Sequence, residues 1–191
     1  MNIPLLIQSL SILIWILPPV RQYKTPYFLF FVVLALSDPI IYTIYYTLGI
    51  QSFKFYPIMT FLLIISISNI NKKRLWIISA VFILIISYTI QSETLLLYIF
   101  CTIIFSIVLF LIIYQLIQLL MQKRILNLFL CLLLFYALIN MLKLIALSLN
   151  LYQHGAISYY LGTFIQIFFG ILFSFITINT KSFSISSKLS N

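Results

Sequence analysis

A chain of 191 residues with 64% hydrophobic and 7% charged residues, and a mean hydropathy of +1.21, carries too little charge to cover a water-soluble domain of its size. The formal net charge of +9 comes from bases scattered between apolar runs, not gathered on a patch; this argues against nucleic acid and for topology signals and headgroup contacts. The lipid bilayer is the expected solvent.

The chain divides into seven apolar segments. The first, Ile3 to Pro19, has no basic region before its apolar core, and Pro18-Pro19 is not a small-residue cleavage site, so it reads as a span and not as a cleaved leader. The basic loop Arg21 to Pro26 follows. The second segment, Tyr27 to Ile50, holds Asp38, one of only two acids in the chain, inside Leu-Ser-Asp-Pro. An ionisable group at that depth costs about 2.5 to 3.5 kcal/mol or more, so something must offset it. Helical spacing puts Phe31, Leu34, Ala35, Asp38, Tyr42 and Tyr45 on one face, and Pro39 removes a donor and frees the carbonyl of Ala35 beside the acid.

Segments three and four run from Phe53 to Ile70 and from Leu75 to Gln91. A re-entrant hairpin there would leave Lys72, Lys73 and Arg74 in hydrocarbon, so two full crossings are expected. Segment five, Thr94 to Met121, extends to about 42 Å as a helix and must tilt or protrude. Cys101 and Cys131, in segments five and six, read as packing thiols. Gln115 and Gln118 lie near the inner end of segment five, where headgroups or a partner helix are within reach.

Segment six, Ile125 to Asn150, aligns Tyr136, Asn140 and Lys143 on one face. Counted from the basic end, Asp38 lies at a depth of ~17 Å, Asn140 at ~22 Å and Lys143 at ~27 Å. Contact between Asp38 and Asn140 is easy. Pairing with Lys143 requires the lysine to reach inward, whereas snorkelling to the headgroups is its ordinary behaviour. In segment seven, Ile157 to Thr180, the residues Gly162, Gln166, Gly170 and Ser174 form a stripe typical of close helix packing. Tyr23, Tyr27, Tyr56, Trp76, Tyr152, Tyr159 and Tyr160 near segment ends fit an interfacial aromatic belt.

Nine of the eleven bases fall in the alternate loops and the tail, against Lys54 alone in the opposite loops. That asymmetry predicts an all-α bundle of seven transmembrane helices, N-terminus outside and C-terminus cytoplasmic. The expected organisation is one membrane domain over residues 1–180 and a short cytoplasmic tail over 181–191. The bacterial inner (plasma) membrane is the expected site.

The inventory speaks against catalysis. One acid is deep, while Glu93 and the sole histidine, His154, are at the outer edge, so no acid–base pair, nucleophile relay or metal cluster assembles. No cofactor or metal is expected. Segment seven has no lysine before Lys181, which removes a retinal Schiff base. With no soluble domain, the first expectation is a non-catalytic accessory, assembly or sensory subunit acting through contacts with a membrane-protein partner or with itself. The second is a small carrier or channel for a proton, ion or small polar solute with Asp38 in the path. Whether Asp38 faces water in the bundle interior or packing atoms discriminates them.

Overall fold

The computed structural model describes residues 3–49, 51–68, 72–91, 93–149, 156–179 and 182–184. His154, Lys181, Lys188 and Tyr152 lie outside the described residues. Helices dominate: α1 (Ile3–Trp15), the short α2 (Leu17–Arg21), α3 (Phe28–Leu48), α4 (Tyr56–Ile67), α5 (Lys72–Gln91), α6 (Thr94–Lys123), α7 (Leu128–Ser148) and α8 (Ala156–Phe175). A 3-10 turn, Ser52–Phe55, precedes α4.

Each apolar segment of the sequence folds mainly as helix, and in three of them the helix breaks or starts late. The first breaks at Ile16 into α1 and α2, because Pro18 and Pro19 suit the first turn of a new helix better than the interior of an old one. The third shortens to the twelve residues of α4, which begins where Pro57 can occupy its first turn. The sixth gives up its first three residues to a strand. Among the described residues, three helices are long and apolar enough to cross a membrane: Phe28–Leu48, Thr94–Gln122 and Leu128–Ala146. Three spans of that character fit a multi-pass membrane protein. Shorter apolar helices cover Ser9–Arg21, Tyr56–Ile67 and Gly162–Phe175.

The all-helical expectation needs one correction. Strand β1 (Ile125–Asn127) pairs antiparallel with β2 (Ser182–Ser184), so part of the expected free tail is held against the α6–α7 turn. Backbone donors and acceptors outside a helix need partners, and the two segments supply them to each other. Arg124 enters the turn at φ 52°, where its N–H closes α6 on Leu120 O at 3.0 Å. At the other end of the bundle Gly49, at φ 65°, terminates α3 with its N–H on Tyr45 O at 3.0 Å, a conformation that favours glycine.

Six helices close into a ring in the order α1, α3, α4, α6, α7, α8 and back to α1, each packed on the next. Helix α5 lies outside it, with Phe82 stacked on Phe61 of α4 and Tyr88 against Phe100 of α6. Inside one half of the ring is an aromatic layer. Phe31, Phe129 and Phe173 are fully buried and pack on one another and on Tyr27 and Phe169 at centroid distances of 5.0 to 6.1 Å. The outer surface is apolar as well, with Phe110, Phe135, Leu142 and Phe175 exposed, the reverse of a water-soluble helix bundle.

The chain reversals beyond the aromatic layer meet at one end. Gln22, buried in the turn after α2, donates its Nε2 to Phe173 O at 3.2 Å and Ile176 O at 2.8 Å, satisfying carbonyls that the end of α8 leaves open. Asn127 donates to Ile178 O at 2.9 Å and accepts from Leu130 N at 3.2 Å, so one side chain caps α7 and holds the segment after α8. The Tyr27 hydroxyl meets Gln115 Oε1 at the same end.

Candidate intramembrane site

Beyond the aromatic layer, towards the Gly49 end, the ring does not fill. A cavity of about 180 Å³ occupies its centre, and each of the six ring helices contributes to its wall. Helix α1 supplies Ser11, α3 Asp38, α4 Thr60, α6 Phe105, α7 Asn140 with Lys143, and α8 Gln166. Tyr136 forms the floor: it lines the cavity and also packs on Trp15 at 5.3 Å and Phe169 at 5.5 Å. The polar depth of the bundle is therefore confined to one half.

The local sequence explains why the wall holds its shape. Polar side chains within apolar helices bond back to the preceding turn, where they need no external partner. Ser37 donates to Leu34 O at 2.8 Å, Thr60 to Tyr56 O at 2.9 Å and Asn140 to Tyr136 O at 2.8 Å. Helix α3 runs unbroken through Pro39. Ser11 departs from this pattern. It is 2% exposed, lines the cavity, and its Oγ has no hydrogen-bond partner.

Asp38 and Lys143, the only charged residues of the wall among the described residues, lie within electrostatic reach of each other. Asp38 and Lys143 form no ion pair with each other at 4.0 Å or less, so the two share the cavity without closing on each other. The stem of Lys143 passes Gly162, where an added Cβ would stand 4.0 Å from its Cε.

The structure thus brings Asp38, Tyr42, Asn140, Lys143 and Gln166 together around one space. Tyr45 is not among them. It is 47% exposed and packs edge-on against Tyr46, because seven residues beyond Asp38 it lies about 10 Å further along the axis, near the end of α3. The stripe on α8 divides in function: Gln166 faces the cavity, whereas Gly170 lets α1 approach so closely that an added Cβ would stand 2.8 Å from Ile14 Cγ2. Ser174 bonds back to Gly170 O at 2.7 Å. Tyr27, expected in the interfacial belt, is buried in the aromatic layer; Tyr56, expected there too, lines the cavity.

Sequence reasoning missed Ser11, Ser37, Thr60 and Thr163 as wall residues. Tyr56 with Thr60, four apart, and Thr163 with Gln166, three apart, were legible as shared faces. Ser11 with Gln8, three apart, was legible in the same way.

No protein family matches this chain, and neither the curated proteins nor the solved structures contain a match to it. The reading of function rests on the cavity.

Proposed function

We propose that this chain is a seven-crossing membrane protein that binds a proton, ion or small polar solute in its central cavity and carries it, with Asp38 as the anchoring group. The observation that carries the reading is the position of Asp38: on a space lined by polar side chains from around a closed ring, instead of against packing atoms. A packing acid needs one hydrogen-bonding neighbour; it does not need an unfilled polar chamber beside it. The aromatic layer beneath the chamber supports a carrier with one side closed over an open channel.

The crossing count and orientation belong to the same proposal. Support comes from the gathering of Gln22, Gln115, Asn127 and the strand Ser182–Ser184 at one end, together with exposed Arg21, Lys24 and Arg124. That end is assigned to the cytoplasm of a bacterial inner membrane, with the N-terminus outside. A second reading, an accessory or sensory subunit with the same ligand site, draws on α5, which stands outside the ring with Ile77, Ile83 and Leu84 exposed and adds none of the described residues to the cavity wall.

The test is flux in liposomes containing the purified chain, followed with an internal pH dye and with labelled small solutes. Asp38→Asn should abolish flux while protein yield stays near wild type, since the amide keeps the shape but cannot ionise. Absence of any flux, with a membrane protein co-purifying after mild solubilisation, would place the subunit reading first.

A further inference from the structure

The cavity contains one acidic and one basic side chain, and they do not touch. Two buried opposite charges with no other duty gain most by closing to hydrogen-bond distance, because a low-dielectric surrounding strengthens their attraction and leaves each poorly solvated when apart. Asp38 on α3 and Lys143 on α7 instead line one space of about 180 Å³ and form no ion pair with each other at 4.0 Å or less. Helix α7 is not free to slide towards α3 at this level, since Tyr136 below is wedged between Trp15 and Phe169 and the ring is closed through α8.

We propose that the cavity takes a small zwitterion, a solute with one ammonium and one carboxylate, whose ammonium meets Asp38 and whose carboxylate meets Lys143. The inference rests on the solute-binding reading given above and names its substrate class. Such a solute neutralises both walls at once, which neither a lone cation nor a lone anion does: either would leave one buried charge without a counter-charge. Size agrees. An engineered cavity of about 150 Å³ in another protein admits benzene, so this one admits a solute of roughly six or seven heavy atoms. The unpartnered Ser11 Oγ and the Gln166 amide supply the neutral hydrogen bonds that a bound carboxylate or ammonium has left over.

The experiment is equilibrium binding to the full-length chain in lipid nanodiscs. Labelled glycine, alanine and β-alanine are the probes, with propionate and ethylammonium as single-charge analogues. At least one zwitterion should bind about thirtyfold or more tightly than either analogue, because each analogue strands one wall charge. Asp38→Asn and Lys143→Met should each remove binding by a similar factor, and Lys143→Arg should retain part of it. The comparison among probes uses wild-type protein, so it decides the matter even where a variant fails to fold. Binding of propionate or ethylammonium as tight as that of every zwitterion overturns the inference and leaves the solute-binding reading intact. No binding of any probe, with a proton flux that depends on Asp38, does the same. Neither binding nor flux overturns both.

Discussion

Asp38 and Lys143 are each costly in hydrocarbon, and their presence in one cavity means that each moderates the other's cost. Removing one therefore strands the second. We expect Lys143→Met to lower the thermal stability of the solubilised protein more than the double change Asp38→Asn with Lys143→Met, with a coupling of about 1 kcal/mol. Melting curves of the wild type, both single variants and the double variant measure it. Strictly additive single effects would show that the two side chains do not sense each other and that Lys143 turns outward to the headgroups. Asp38 was identifiable from sequence as a deep acid, and Asn140 and Lys143 as neighbours on one helical face. Ser11 shares a helical face with Gln8 by spacing, but a serine in an apolar helix looks the same whether it faces lipid, a packing surface or an unfilled chamber.

Between elements, α8 comes close to α1 at Gly170, where an added methyl group would stand 2.8 Å from Ile14 Cγ2. Gly170→Ala should lower stability by about 1 to 3 kcal/mol, since Ile14 and Trp15 have to give way in a packed layer. Gly162→Ala, with nothing nearer than Lys143 Cε at 4.0 Å, should be neutral or stabilising by up to about 1 kcal/mol from helix propensity. Equal losses at both positions in a thermal-shift series would contradict the division of the α8 stripe. Gln22 makes a separate tie: Gln22→Leu leaves the end of α8 with two open carbonyls and should cost about 1 to 3 kcal/mol, read by the same assay. A glycine stripe was visible in the sequence as a packing face. Which glycine actually touches a neighbour depends on where α1 crosses α8, and no spacing rule on α8 alone contains that.

At the scale of the molecule, topology is the property to test. A reporter fused at Asn191 should report the cytoplasm and one inserted at His154 the outside, as the distribution of nine bases demands. Both reporters on one side would remove the seven-crossing arrangement and, with it, the placing of the cavity in the outer half of the membrane. The ring itself makes a related statement about the parts: six helices line the cavity, and α5 adds none of the described residues to its wall. Substitutions on the exposed side of α5 therefore belong to a different experiment from substitutions in the wall.

Membrane character and the segments that become helix were determined by sequence alone, because partition into hydrocarbon acts on each segment through its own side chains and backbone. Helix length is a local quantity too, which is why the proline pair at Pro18 and Pro19 and the proline at Pro57 mark helix starts that a hydropathy reading alone runs across. The tertiary structure decided what the segments enclose. The cavity, the exposure of Tyr45, the burial of Tyr27 and the strand pairing of Ser182–Ser184 with Ile125–Asn127 all depend on the rotation, level and order of helices about a shared axis. In lipid both faces of a helix are apolar, so no contrast between a wet and a dry side specifies that rotation from one helix's sequence. It is set by close packing among all six at once.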